Sequence, residues 1–252
     1  PVLFFVSSVT RRGCPESAKI LHMDETSLAA NIASIHQRVR LCAEKSQRTS
    51  GDILLIAISK TRPAADLRMA HKLGLSQFGE SYLQEALEKV EALADLPITW
   101  HFVGPLQSNK TRQVASHFDW VHSVDRVKIA RRLSEQRPTN LPPLQICLQV
   151  NVSGEASKSG VKLEELPPLV QAVAALPNLV LRGLMAIPEA SNDPGVQRSA
   201  FRKLHDALIE LQALAPTMDT LSMGMSGDLE AAIAEGATIV RVGTDIFGPR
   251  HG

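Results

Sequence analysis

The chain has 252 residues, of which 44% are hydrophobic and 21% are charged. Its 27 lysines and arginines nearly balance 26 acidic residues, and aromatic residues make up only 4%. These values argue against a disordered chain and against a nucleic-acid-binding surface. No apolar stretch approaches the roughly 20 residues that a membrane-spanning helix needs, so no membrane association is expected.

The cysteines give no sign of a disulfide framework. Cys14, Cys42 and Cys147 are odd in number and far apart. Disulfide-stapled domains and thiolate zinc sites need paired or closely spaced cysteines, so neither is expected, and no metal site is predicted. Such sparse cysteine usage is typical of the reducing cytoplasm, where we expect the protein to be located.

The first 22 residues predict an extension outside the fold. Residues 1–9 are apolar, but basic residues follow them rather than precede them, so they lack the form of a secretory signal. A clear helical pattern begins only after Met23, which could be the natural start. We therefore predict that residues 1–22 are disordered and that residues 23–252 form one domain.

The predicted elements begin with a helix. Apolar residues recur at steps of four and three from position 28 to position 39, and Asp24 or Thr26 can cap the start of this helix. The run at 53–58 is short and apolar at every position, as in a strand that is buried on both faces. A helix is predicted next, at 64–73.

The same alternation continues to the end of the chain. Further strands are predicted at 76–78, 98–103, 120–124, 144–150, 179–184, 220–222 and 239–242. Helices are predicted between them at 82–93, 108–116, 126–137, 163–176, 197–214 and 228–235. Eight strands that alternate with helices imply a parallel sheet. An open doubly wound sheet is one solution, but a closed (β/α)8 TIM barrel with an extra N-terminal helix fits the strand count better.

In such a barrel, functional residues lie at the carboxyl ends of the strands. Lys60 is the first long polar side chain after the first strand. Burial at a barrel mouth disfavours the ammonium form of a lysine, and an unprotonated amine can form a Schiff base with an aldehyde. A lysine that merely reaches for solvent is the alternative explanation.

The loops after the last two strands predict an anion site. Ser222, Ser226 and Thr244 offer hydroxyls, and nearby glycines, among them Gly243, let backbone amides approach a ligand. A helix predicted to begin near Asp228 directs its positive end to the same place. A lysine after strand one and an anion site after strands seven and eight together suit a ligand with an aldehyde and a phosphate. Pyridoxal 5′-phosphate (PLP) has that shape.

Seven motifs, in order along residues 24–248, resemble those of the pyridoxal phosphate homeostasis protein family (the YggS/PROSC type). They are IAISKT at 56–61, FGE at 78–80, WHFVGPLQSNK at 100–110, SKSG at 157–160, RGLMAI at 182–187, LSMGMS at 221–226 and VRVGT at 240–244. The resemblance implies an alanine-racemase-like barrel that holds PLP as an internal aldimine on Lys60.

The resemblance also implies the other cofactor contacts. It places the phosphate against Ser222, Gly243 and Thr244, and it places Arg241 near the pyridine nitrogen. Ser81 stands where the family usually has asparagine, so a cofactor contact there would have a shorter reach. Gly227 stands where the family pattern has aspartate, which is a milder departure than the one at Ser81.

The residues favour a carrier over an enzyme. Related racemases use a second acid/base, typically a tyrosine, and a second domain, and neither is expected here. The single tyrosine, Tyr82, is expected at a helix start. A cation such as Arg241 opposes protonation of the pyridine ring and weakens its capacity to accept electrons. The alternative is a fold-type-III PLP enzyme, a racemase or lyase, whose second group is His101, His122 or a bound water.

We therefore predict a protein of vitamin B6 homeostasis that holds, buffers or delivers PLP without turning over amino acids. Its expected partners are PLP, other B6 vitamers and apo forms of PLP enzymes, and it is expected to be a monomer. Lys158, in a short polar loop beyond strand five, is predicted to lie at the same mouth as Lys60. It could accept the cofactor from Lys60 and pass it on.

Overall fold

The computed structural model describes residues 24–154 and 159–249. Eight strands pair in parallel, in chain order, and close into a barrel because β8 pairs with β1. The strands are β1 Leu54–Ile58, β2 Gln77–Glu80, β3 Thr99–Phe102, β4 Trp120–Val124, β5 Leu144–Gln149, β6 Leu179–Met185, β7 Thr220–Ser222 and β8 Ile239–Val242. The predicted TIM barrel is confirmed.

Helices alternate with the strands. They are α1 Glu25–Lys45, α2 Ala64–Lys72, α3 Leu83–Ala92, α4 Thr111–His117, α5 Val127–Gln136, α6 Leu166–Ala174, α7 Pro194–Leu211, α8 Leu229–Ala234 and α9 Thr244–Phe247. The predicted extra helix before the barrel is α1, and Asp24 caps it by accepting from the Ser27 backbone amide at 2.8 Å. The short α9 was not predicted.

Two helices begin three residues later than their patterns predict. The pattern at 108–116 becomes α4 only from Thr111, whose hydroxyl donates to the Ser108 carbonyl in the preceding turn. The pattern at 163–176 opens with a 3-10 turn, Leu163–Glu165, before α6. Pro167 and Pro168 lie in the first turn of α6, where their missing amide protons cost no helical hydrogen bond.

The barrel interior holds polar side chains among apolar ones. His122 on β4 hydrogen-bonds Ser222 on β7, and these non-adjacent strands can meet only across the interior. Close approach of β6 and β7 depends on Gly183, because a Cβ there would overlap the Thr220 carbonyl. This packing brings the ends of β7 and β8 to the same mouth as the end of β1.

Several predictions lie outside the described residues. These are the extension at 1–22, Met23, Cys14 and the transfer lysine, Lys158. Within the described ranges, Cys42 and Cys147 are free and buried, and no cluster of three metal-ligating residues occurs. No helix in those ranges is long and apolar enough to cross a membrane.

Candidate functional site

A cavity of about 190 Å³ opens at the carboxyl ends of β1, β7 and β8. It brings together most of the residues predicted from the sequence. The residues that line it are Ile58, Lys60, Arg62, Met225, Ser226, Gly227, Arg241, Gly243, Thr244, Phe247 and Gly248. Three of them are cations, and one wall consists of hydroxyls and glycine backbone. This combination suits a small anionic ligand that also reacts with an amine.

Lys60 lies in a strained turn after β1. The next residue, Thr61, has a φ of 66°, in the left-handed region that β-branched residues avoid. Such a conformation costs about 1–3 kcal/mol and persists only where neighbouring groups hold it. The Thr61 amide donates to Glu85 Oε1 at 2.5 Å. A carboxylate from α3 thus fixes the backbone beside Lys60.

A buried ion cluster supports the same turn. Lys89 Nζ donates to the Ser59 carbonyl at 2.7 Å, to Glu80 Oε1 at 2.7 Å and to Glu85 Oε1 at 2.5 Å. Glu80 is fully buried and Lys89 is 4% exposed. Burial raises the pKa of Glu80, while Lys89 and the hydroxyl of Ser59 oppose that rise. The cluster ties the end of β2, and Ser59, the residue before Lys60, to α3.

Arg241 is a buried, oriented cation at the back of the cavity. Its Nη1 donates to Ser222 Oγ at 2.7 Å and its Nη2 donates to the Ala186 carbonyl at 2.9 Å. Burial lowers the pKa of Arg241 to about 10, and Asp228 partly opposes this effect. The guanidinium therefore stays charged at neutral pH, and its two hydrogen bonds fix the orientation of its plane.

Ser222 does not line the cavity but lies behind Arg241. Its hydroxyl contacts Arg241, which lines the cavity, and His122 Nδ1 at 2.8 Å. His122 Nε2 lies 3.0 Å from His101 Nδ1, and His101 Nε2 lies 2.8 Å from Gln77 Oε1. The predicted phosphate serine is thus the end of a buried chain of hydrogen bonds.

The backbone of the two last loops approaches the cavity closely. A Cβ on Gly243 would lie 3.2 Å from the Ile58 carbonyl oxygen, so a larger residue would crowd the end of β1. Gly224 has a φ of 93° and lies against Ala232 of α8. The Asp228 carboxylate accepts from the Met225 amide at 2.5 Å and so closes the loop that presents Ser226.

The extra helix α1 reinforces these loops. Arg38 donates to the Ser226 carbonyl at 3.1 Å, to Glu230 at 2.8 Å and to Asp245 at 2.6 Å. One guanidinium therefore joins the loop after β7 to α8 and α9. This role was not predicted, because in the sequence Arg38 is one of several charges on the polar face of a helix.

Ser81 and Tyr82 do not line the cavity. Ser81 is partly buried. Its backbone packs so closely on Gly104 that a Cβ on Gly104 would overlap the Ser81 carbonyl. Tyr82 immediately precedes α3, as expected, and is 53% exposed. A cofactor contact from the Ser81 side chain remains a prediction.

Sequence analysis missed Arg62, Glu85 and Lys89. Arg62 lines the cavity and donates to the carbonyls of Gly248 and Pro249 at 2.6 and 2.7 Å, so it binds the chain after α9 to the end of β1. A Lys that follows a Glu by four residues ordinarily indicates a surface pair on a helix. The burial of Lys89 depends on Glu80, which is distant in sequence.

Comparison with known proteins identifies the family. Residues 24–251 match the family model for the alanine racemase N-terminal domain. The pyridoxal phosphate homeostasis protein of Pseudomonas aeruginosa is 60% identical over 225 residues, which cover 89% of this chain and 96% of that protein. The protein of the same name from Escherichia coli K12 is 49% identical and covers 88% and 97%, respectively.

Solved structures agree with this assignment. PipY of Synechococcus elongatus with PLP bound is 38% identical, with a TM-score of 0.77, and the alignment covers 88% of this chain and all of PipY. Alanine racemase from Corynebacterium glutamicum shares the fold at 15% identity and a TM-score of 0.67, and this chain covers 63% of it. The chain belongs to the pyridoxal phosphate homeostasis protein family and carries the barrel of the alanine racemase N-terminal domain.

Proposed function

We propose that this protein binds PLP covalently through Lys60 and serves cofactor homeostasis by holding, buffering or delivering it. The observation that carries the proposal is that Lys60, at the end of β1, shares one cavity with Ser226, Gly243 and Thr244 at the ends of β7 and β8. A relative, PipY, has been solved with PLP bound. Other relatives are named for PLP homeostasis.

The residues present fit the cofactor. Lys60 supplies an amine, and Arg62 and Arg241 supply positive charge around the same cavity. Thr244, Ser226 and the Gly243 backbone would hold the phosphate, and the fully buried Ser222 would act through Arg241, which it hydrogen-bonds at 2.7 Å. Gly243 lies against the end of β1, where a Cβ would meet the Ile58 carbonyl, and it also lines the cavity. When bound, PLP supplies an aldehyde that an amine can hold and a ring that can withdraw electrons.

The cavity favours holding the cofactor over turning over amino acids. Among the described residues that line it, none is a histidine, tyrosine, cysteine or carboxylate. His101 and His122 are buried, and both nitrogens of each ring are hydrogen-bonded. Burial lowers the pKa of His101 to about 3 and the pKa of His122 well below its usual value, so neither gains a proton near neutral pH. The family resemblance implies that Arg241 would lie near the pyridine nitrogen, where its charge would oppose protonation of that nitrogen.

Pyridoxal, which lacks the phosphate, is expected to bind at least about tenfold more weakly than PLP. Losing a hydrogen bond to a charged group costs about 1.5–3 kcal/mol, and the site offers several such bonds. Absorbance titration of the purified protein with each vitamer measures the difference. Thr244→Val, a change of similar shape, should weaken PLP binding and leave pyridoxal binding unchanged. Equal affinity for the two vitamers would remove the anion site from the proposal.

A turnover assay separates the carrier from the alternative enzyme. The protein loaded with PLP is expected to show no racemisation or decarboxylation of common amino acids, because no second acid/base lines the described cavity. Chiral chromatography of a long incubation measures this. Turnover of a few per second or more, lost in Lys60→Ala, would establish an enzyme instead.

A further inference from the structure

Lys60 is a central residue of a β-turn that carries an unfavourable residue at its third position. The Arg62 amide donates to the Ser59 carbonyl at 3.0 Å, so Lys60 and Thr61 are the two central residues of this turn. Thr61 has a φ of 66°, and turns with a positive φ at this position ordinarily carry glycine. A threonine is strained there, so the turn needs support from outside its own four residues.

Glu85 and Lys89 of α3, which we call the α3 pair, support the turn on both sides of Lys60. Lys89 Nζ donates to the Ser59 carbonyl at 2.7 Å, and Glu85 Oε1 accepts from the Thr61 amide at 2.5 Å. The two side chains also contact each other at 2.5 Å. The peptide groups before and after the Lys60 Cα are thus held by one connected pair. Because these two peptide groups determine the direction of the Cα–Cβ bond, the α3 pair fixes where the lysine side chain begins.

Of the two members, Glu85 is the one that acts on the turn more than on the fold. Lys89 also pairs with the buried Glu80 at 2.7 Å, so the cation keeps a carboxylate partner when Glu85 is replaced. The Glu85 side chain is 31% exposed, and ion pairs with exposed members add little to stability. Its hydrogen bond to the Thr61 amide, by contrast, acts directly on the strained residue of the turn.

We propose that Glu85 is a positioning residue for the covalent attachment of PLP, because it holds Thr61 in the strained conformation in which Lys60 lines the cavity. Attachment joins the neutral Lys60 amine to the aldehyde carbon by a C=N bond, and both amine protons leave with the aldehyde oxygen as water. Without Glu85, Thr61 relaxes, and attachment must restore the strained turn. This inference rests on the proposed function, since it requires Lys60 to be the attachment site.

The test compares a ligand that can react with Lys60 and one that cannot. Pyridoxine 5′-phosphate has the ring and the phosphate of PLP but carries an alcohol in place of the aldehyde. Glu85→Met keeps the length of the side chain and removes the acceptor. We expect this variant to bind PLP at least about fivefold more weakly than wild type, because attachment must restore the strain at Thr61. Its affinity for pyridoxine 5′-phosphate, measured by calorimetry, should not change.

A second background separates positioning from a merely structural role. Glycine adopts a positive φ without strain, so in Thr61→Gly the turn no longer depends on Glu85. Adding Glu85→Met to Thr61→Gly should therefore change the PLP affinity by less than about twofold. Glu85→Gln keeps an oxygen that can accept from the Thr61 amide, so it should bind PLP more tightly than Glu85→Met does.

Glu88→Met is the matched control. Glu88 is an exposed glutamate on the same helix and is not a member of the α3 pair, so its replacement should leave the PLP affinity unchanged. Urea unfolding of each variant confirms that the barrel is folded under the conditions of the titrations.

The outcomes separate this inference from the proposed function. Unchanged PLP binding in Glu85→Met would overturn the positioning role and leave the proposed function standing. An equal loss for PLP and pyridoxine 5′-phosphate, or the same loss of PLP binding in the Thr61→Gly background, would also overturn it, because the effect would then not act through the strained turn. Failure of the wild-type protein to attach PLP would overturn the proposed function and this inference together.

Discussion

Replacing Lys89 with methionine is expected to lower the free energy of unfolding by about 3–5 kcal/mol. The substitution keeps a long side chain but removes the cation that pairs with Glu80 and Glu85. Glu80 is fully buried and its Oε2 has no hydrogen-bond partner among the described residues. Without Lys89, the hydroxyl of Ser59, which donates to Oε1 at 2.6 Å, is the one described group left to stabilise this carboxylate. Urea unfolding followed by circular dichroism measures the loss.

The pH dependence of this loss in stability follows from the direction in which the fold shifts the pKa of Glu80. Burial raises the pKa, and Lys89 opposes that rise, so the variant has the higher folded-state pKa. The unfolded value is about 4.3. A raised folded pKa means that stability is retained below the unfolded pKa and lost as pH rises through the folded pKa. The destabilisation by Lys89→Met should therefore be smaller at pH 5 than at pH 8.

The control for the ion cluster is the double variant Glu80→Gln/Lys89→Met. It removes both members of the buried pair, so at pH 8 it should be more stable than Lys89→Met alone and should lose most of the added dependence on pH. The account of this cluster is contradicted if Lys89→Met costs less than about 1 kcal/mol, or if its cost is the same at pH 5 and pH 8.

Lys60→Ala is expected to abolish covalent attachment of PLP completely. Lys60 is the one lysine among the described residues that line the cavity, so no other amine there can take its place. The absorbance band of PLP linked to a lysine should disappear, while the residues proposed to hold the phosphate remain. Because Lys60 is only partly buried, the far-ultraviolet circular dichroism should be unchanged.

Lys110→Ala is the matched control for Lys60→Ala. Lys110 follows β3, is exposed and does not line the cavity, so its removal should leave the band at full intensity. Persistence of the band in Lys60→Ala, or its loss in Lys110→Ala, would place the covalent linkage elsewhere.

Most of the barrel could be predicted from local patterns. A strand buried on both faces has an unbroken apolar run, and Leu54–Ile58 has one. Position after such a strand is itself informative in a parallel barrel, which is why Lys60 could be singled out before the structure was known. The glycines and hydroxyls after β7 and β8 were found in the same way.

The supporting groups could not be predicted, because they depend on which strands meet. His101 and His122 are 21 positions apart along the chain, and His122 is 100 positions from Ser222, so no local pattern connects them. Their connection exists only once the barrel closes. The role of Lys89 could not be predicted for a related reason. Its buried partner, Glu80, is the last residue of a strand, and its other partner, Glu85, lies four residues before it, as in an ordinary surface ion pair on a helix.

Reduction of the wild-type protein with borohydride in the presence of PLP, followed by peptide mapping, tests the central claim most directly. Borohydride makes the linkage between the cofactor and its lysine permanent, so mass spectrometry can locate it. The predicted result is a pyridoxyl group on the peptide that contains Lys60. A label found chiefly on any other lysine would contradict the assignment of this cavity as the cofactor site.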